Sequence, residues 1–308
     1  MIAIVCPGQG AQSPGFFAPW LELESFKSTI EQLAEASGVD LIKHGTVSDA
    51  DTIRDTAIAQ PLIVAAGIAS ASALFSAGSD LKSAVAGFAG HSVGEITAAA
   101  ISDVLSNLDA MRFVSKRGLE MAAAAAIEPT SMAAVVGGSE DVVLAKLAQL
   151  ELEPANYNGG GQIVAAGSQA AIEQLKLDPP AGSRVIALQV AGAFHTRFMQ
   201  PAVYSLTAFA SELSTNEPVA KLWTNASGQL VTSGSEFLNL MVRQVSNPVR
   251  WDLCMAAMLD SGVTALIELS PAGTLAGLAK RSMPGVECIA VKTPENIDAA
   301  LSLINNNR

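Results

Sequence analysis

Charge is scarce in this chain. Asp, Glu, Lys and Arg make up 15% of its 308 residues, against roughly 25% in ordinary soluble domains. Aromatic residues are scarcer still at 5%, while hydrophobic residues reach 50%, so Ala, Val, Leu and Ile must build a large buried interior. There are three cysteines, Cys6, Cys254 and Cys288, and three histidines. An odd number of cysteines without ligand spacing excludes a disulfide framework and points to reduced thiols in a cytoplasmic protein. With no His/Cys cluster, no bound metal is expected. Basic residues are in deficit, 18 against 29 acidic, for a net charge of −11. That argues against nucleic acid and anionic membranes as partners. Met1 to Cys6 has no basic leader and reads as a first strand, not a signal peptide. The longest uncharged run, Thr56 to Ser79, carries Gln60, Pro61, Gly67, Ser70, Ser72 and Ser76. It reads as a buried helix lined with small residues, not a membrane span.

What is present is alternation. Short apolar strands are expected at Ile2–Cys6, Ala84–Phe88, Val219–Thr224, Ala265–Leu269 and Cys288–Val291, and helices at Asn107–Ala126, Gln200–Leu213 and Gly273–Arg281. The tail Asn305–Arg308 reads as frayed. This order predicts an α/β fold with a mostly parallel sheet. From Ser131 to Val190 the order changes to strand, helix, strand, strand, helix, strand, the βαββαβ order of a ferredoxin-like unit. Residues 130–191 are therefore read as a small domain inserted into a large one made of 1–129 and 192–308, with a ligand cleft between them.

Gly90-His91-Ser92-Val93-Gly94-Glu95 fits a G-x-S-x-G elbow between a strand and a helix. A serine on so sharp a turn lifts its hydroxyl above the sheet edge, and the helix behind it aims free N–H groups at an oxyanion. An ordinary Gly-rich turn is the bland alternative. A serine needs a base. His91 adjoins Ser92 and points elsewhere, which suits packing; His44 reads as a surface loop residue. His195, in Gly192-Ala193-Phe194-His195-Thr196 where the chain re-enters the large domain, is the best base. Of the acids between Ser92 and His195, Glu95 among them, none is expected at a strand end beside the elbow. A Ser–His dyad oriented by a carbonyl oxygen is therefore expected in place of a triad. Pro7-Gly8-Gln9-Gly10 fails as a dinucleotide fingerprint, because Ser13 stands where the third glycine belongs. It suits an oxyanion hole in which the Gln9 N–H pairs with that of Val93. On the helix 107–126, Ala110, Val114, Arg117 and Met121 share one face, which buries Arg117. Such a cation needs a carboxylate partner, from the protein or from a ligand.

Together these residues make the chain resemble the malonyl-CoA:acyl-carrier-protein transacylases of bacterial fatty-acid synthesis. The marks are Pro7–Gly10, Gln60-Pro61, the elbow, Arg117, Asn158–Gln162, Gly192–Thr196 and Asn247-Pro248-Val249-Arg250-Trp251. The resemblance implies Ser92 as the nucleophile that carries malonyl, His195 as base and then acid, and Gln9 and Val93 as oxyanion donors. It further implies Arg117 holding the malonyl carboxylate, Gln244 orienting His195 through its backbone carbonyl, and Gln60 and Asn158 lining the pocket. Its fold is a hydrolase-like α/β domain with an inserted ferredoxin-like domain. Malonyl-CoA is then a substrate, the phosphopantetheine belongs to the partner acyl carrier protein, and no cofactor is needed. Phe194 beside the base is expected to disfavour a methyl branch. Gly159-Gly160 stands where many relatives place Ser-Pro. The stand-alone length suggests a dissociated system and a monomer; the pathway, fatty acid or polyketide, stays open. An acidic carrier would be repelled by a net charge of −11 unless a basic patch intervenes, with Lys280/Arg281, Arg184 and Arg112/Lys116 as candidates. A serine esterase or lipid acyl hydrolase with the same elbow, and a non-catalytic carrier-docking module, remain the alternatives.

Overall fold

Strand β1 (Ile2–Cys6) is buried at every position because it lies at the centre of the larger sheet. An uninterrupted apolar run is what a parallel strand covered on both faces requires. In the computed structural model, which describes residues 1–77, 81–190 and 192–307, nine strands follow it. They are β2 (Gly87–Gly90), β3 (Thr130–Gly137), β4 (Glu153–Gly159), β5 (Gln162–Ser168), β6 (Ser183–Ala187), β7 (Lys221–Trp223), β8 (Val249–Arg250), β9 (Ala265–Glu268) and β10 (Glu287–Ala290). Ser79 of the uncharged run, Ala191 at the expected domain boundary and Arg308 of the tail lie outside the described residues.

The larger sheet has the order β10-β9-β1-β2-β7, and all its pairs are parallel. The register sets Cys6 opposite Gly90, so the Pro7–Gln12 loop and the elbow leave the same sheet edge side by side. Carboxyl ends of adjacent parallel strands are where open α/β sheets place their sites. The expected strand at Ala84–Phe88 is shifted along the chain. Ala84 ends a short helix, Leu81–Ala84, and the strand runs on to Gly90 because β1 supplies pairing partners that far.

The second sheet has the order β6-β3-β5-β4-β8. Its first four strands pair antiparallel in the ferredoxin-like order. The fifth was not expected: β8 adds in parallel to β4, with Asn156 opposite Val249 and Tyr157 opposite Arg250. Pro248 favours extended backbone there, and the β4 edge gains partners for its free backbone groups. The last strand ends at Ala187, short of the expected Val190, and the tail is helical through Asn306.

The helix Thr56–Ser76 is the one helix among the described residues long and apolar enough to cross a membrane, and 83% of its apolar window is buried inside the fold. It packs against the helices Glu24–Ser37, Gly94–Ile101 and Asn107–Ala125, as a core helix without a polar face must. The Asn107–Ala125 helix starts where the Ser106 side chain accepts from the Asp109 N–H. It buries Ala110, Val114, Arg117 and Met121, the face read from the sequence.

Candidate active site

Ser92 sits at φ 53°, in the left-handed region that non-glycine residues rarely occupy. The elbow's glycines serve a different purpose. A Cβ on Gly90 would lie 2.0 Å from the Gly94 carbonyl carbon, and one on Gly94 would lie 2.1 Å from the Cys6 oxygen. They let strand, turn and helix touch, while the serine itself carries the unusual dihedral. The Ser92 N–H is fixed by the Asn225 side-chain oxygen at 2.7 Å.

His195 lies 4% exposed and also adopts a positive φ, 63°. Strain of this kind concentrates at functional sites because the surrounding structure must hold it. Its Nε2 is 2.7 Å from Ser92 Oγ, and its Nδ1 is 2.7 Å from the backbone oxygen of Gln244. A carbonyl only accepts, so Nδ1 carries the proton and Nε2 offers its lone pair to the serine hydroxyl. Burial, and then the nearby Arg117 charge, push the imidazole down to about 3. It is therefore neutral at physiological pH.

Arg117, 1% exposed, donates from Nη1 to Gln60 Oε1 at 2.7 Å and from Nη2 to Gln244 Oε1 at 3.1 Å. Nη2 also lies 3.4 Å from Ser92 Oγ. Among the described residues no carboxylate comes within ion-pair distance of it. Burial lowers its pKa to about 10, with Glu95 opposing, so it stays charged. A buried cation solvated by amide oxygens beside a nucleophile is a receptor for an incoming anion.

The Gly-rich loop is pinned before any ligand arrives. Gln12 Nε2 donates to the Ile53 oxygen at 3.0 Å, and the Gly10 N–H to Gln12 Oε1 at 2.8 Å. Gln9 Nε2 reaches the Arg54 oxygen and Thr56 Oγ1 at 3.5 and 3.4 Å. The Gln9 and Val93 N–H groups meet no acceptor among the described residues. A cleft of about 380 Å³ runs beside this loop, bounded by Gln9, Gly10, Arg54, Leu188 and Val190.

The remaining expected residues have varied placements. His91 Nε2 is 2.9 Å from Asn158 Oδ1, and Asn158 Nδ2 donates to Gln162 Oε1, so His91 donates. This link ties the elbow to the second sheet, and burial holds His91 below its ordinary value. Asn158 thus contacts the elbow through His91. After it, Gly159, Gly160 and Gly161 all have positive φ (72°, 56° and 72°). Proline, locked near −65°, could not follow this path at Gly160. Gln60 lies under Arg117, its Nε2 against Met121 Sδ. Phe194 is buried in the main core on the turn that carries His195. His44 lies in a short helix, not a loop, with Nδ1 on Ser48 Oγ.

Two residues of the site escaped the sequence reading. Glu95 was counted among the acids but not placed beside the elbow. It is 1% exposed in the first turn of the elbow helix. It accepts from the Asn225 N–H at 2.6 Å and from Gln244 Nε2. Asn225, after β7, was not singled out. Its Nδ2 donates to the Gly90 oxygen at 2.7 Å, and its Oδ1 also accepts from Gln244 Nε2 at 3.1 Å. A signal for Glu95 did exist, since a carboxylate three residues after the serine must enter the core side of a buried helix. Asn225 had none, because only β2–β7 pairing brings it to the elbow.

A neutral dyad base, two free N–H groups and a receptor for an anion describe an acyl-transfer site. The acyl transferase domain family matches residues 3–293. The chain belongs to this family. It is 48% identical over 307 residues to the malonyl CoA-acyl carrier protein transacylase of Mycobacterium tuberculosis H37Rv, covering 98% of this chain and 100% of that one. It is 32% identical to the enzyme of the same name from Escherichia coli K12, covering 98% and 99%. The crystal structure of the Mycobacterium tuberculosis MCAT superposes with a TM-score of 0.93 at 47% identity, covering 97% and 99%. A type II polyketide acyl-carrier protein in complex with its malonyl-transacylase matches at 0.93 and 26% identity, covering 98% and 99%. This acyltransferase has an α/β fold with a parallel five-stranded sheet and a second, mixed sheet.

Proposed function

We propose that the chain transfers malonyl from malonyl-CoA to the phosphopantetheine thiol of acyl carrier protein through a malonyl-Ser92 intermediate. In the first half-reaction Ser92 Oγ gives its proton to His195 Nε2 and attacks the thioester carbonyl carbon. The oxyanion takes the N–H groups of Gln9 and Val93. The tetrahedral adduct collapses, its C–S bond breaks, and the CoA sulfur leaves with the proton from His195. In the second half the carrier thiol gives its proton to His195, its sulfur attacks the malonyl-serine ester, and Ser92 Oγ leaves with that proton. Gln244 holds the imidazole tautomer throughout, while Arg117, seated on Gln60 and Gln244, takes the free malonyl carboxylate. The pantetheine arm enters beside Gln9 and keeps water from the ester.

The observation that carries this reading is the Arg117 guanidinium beside Ser92 Oγ, its fork held by neutral oxygens. A simple esterase has no use for it. We also assign residues 130–191 to a small domain inserted in a large one, and expect a monomer that works in the cytoplasm without metal or cofactor. Incubation with malonyl-CoA, followed by intact-protein and peptide mass spectrometry, tests the reaction. A malonyl adduct on Ser92 that holo-carrier protein discharges supports it. Rapid hydrolysis would favour an esterase, and no adduct a docking module.

A further inference from the structure

Gln244 faces the site twice. Its backbone oxygen accepts from His195, and its side-chain oxygen accepts from Arg117. A carboxamide can point either way, and the two orientations differ by an exchange of donor for acceptor. With Nε2 turned toward Arg117, two donors would confront each other in a buried site. Something must fix the orientation.

Among the described residues two acceptors hold Nε2 from the far side, Glu95 and Asn225. Glu95 Oε2 lies on Gln244 Nε2, and its other oxygen takes the Asn225 N–H. Burial raises the Glu95 carboxyl to about 8, so both of its forms are populated near neutral pH. In either form an oxygen without a proton takes Gln244 Nε2, which leaves Oε1 to the guanidinium. Asn225 supports this, because its Oδ1 also accepts from Gln244 Nε2. Its own amide is fixed by the Ser92 N–H on Oδ1 and the Gly90 oxygen on Nδ2, so Glu95 and Asn225 hold Gln244 Nε2 together.

We propose that Glu95 is a positioning residue that fixes the Gln244 carboxamide and thereby aims Arg117 at the substrate carboxylate. It touches neither substrate nor reacting atoms. This rests on the malonyl-transfer reading and adds a determinant of acyl selectivity to it. Glu95→Gln isolates the effect. The new side chain keeps an oxygen for the Asn225 N–H, which leaves the Asn225–Ser92 link in place. It sets an NH₂ group against Gln244 Nε2, so Gln244 loses one of its two acceptors, is pushed off the other, and its oxygen shifts away from Arg117.

The experiment measures kcat/KM for malonyl-CoA and for acetyl-CoA in acylation of Ser92, for wild type and Glu95→Gln. Losing a hydrogen bond to a charged group predicts a fall of about tenfold to hundredfold for malonyl, with KM raised and acetyl changed less than about threefold. In a Gln244→Leu background, which keeps the backbone oxygen for His195, Glu95→Gln should leave the malonyl-to-acetyl ratio where Gln244→Leu alone puts it. A merely structural role would lower both substrates by one factor, and that outcome overturns the proposal. If Glu95→Gln does not fold, Gln244→Leu alone must lose the same preference; a preference kept intact overturns the proposal. A wild type without malonyl preference would instead overturn the reading on which it rests.

Discussion

Arg117 Nη2 stands 3.4 Å from Ser92 Oγ, so the charge that would hold an anionic acyl group and the atom that would carry it share one edge of the pocket. Selectivity and attack are therefore not separable by distance. A group held by Arg117 must fold back toward the serine within a few bonds, as a three-carbon dicarboxylic acyl chain does.

Arg117→Ala should lower malonyl transfer by about two to nearly four decades while acetyl transfer changes far less. The estimate follows from the roughly 3–5 kcal/mol associated with breaking a buried, charge-paired contact. Single-turnover acylation by the two CoA esters checks it. An equal loss for both would remove the clamp.

The imidazole of His195 should show no protonation between about pH 8 and pH 5. Its pKa is lowered to about 3, first by burial and then by Arg117, so the neutral form persists until the pH falls well below the ordinary histidine value. Nitrogen-15 NMR of histidine-labelled protein should report the Nδ1–H tautomer over that range. In Arg117→Gln the loss of the neighbouring positive charge should raise the midpoint. A wild-type transition near 6.5 would contradict the burial argument.

Gly94→Ala should destabilise the fold by roughly 3 kcal/mol or prevent folding, since the new methyl meets rigid backbone at Cys6 and overpacking against backbone has no cheap relief. Gly277→Ala should do the reverse. That helical position has nothing within 4 Å of a Cβ, and alanine gains about 0.5–1 kcal/mol there. Chemical denaturation of both variants decides whether the elbow's glycines are required by contact.

Lys280 and Arg281 are the expected landing place for an acidic carrier protein. They are exposed and, among the described residues, without ion pairs, whereas Arg112 and Lys116 are engaged by Asp109 and Glu120. The helix that bears them is anchored by Glu268, which accepts from the N–H groups of Gly273, Leu275 and Ala276. Arg281 also borders the Gly159–Gly161 loop next to Asn158. Reversing both charges should raise KM for carrier protein severalfold and leave KM for malonyl-CoA unchanged. An unaltered carrier KM would exclude this patch.

The sequence alone determined the features that depend on local pattern. Apolar runs marked the parallel strands to within a few residues, 3–4 spacing buried Arg117, and the βαββαβ order announced the second sheet. The elbow was legible because a G-x-S-x-G turn is encoded where it is used. What only the tertiary structure decided concerns groups distant in the chain. Strand pairing, not composition, ended β2 at Gly90 and added β8 to the second sheet. Parallel register set the Gln9 loop beside Ser92, and β2–β7 pairing delivered Asn225 to the Ser92 N–H. Glu95 was visible as a letter, but its role depends on Gln244, 149 residues away. Periodicity tells which side of a helix is buried. Only the packed fold tells what waits there, because the donor and acceptor geometry of a buried polar group is set by neighbours that the chain brings from elsewhere.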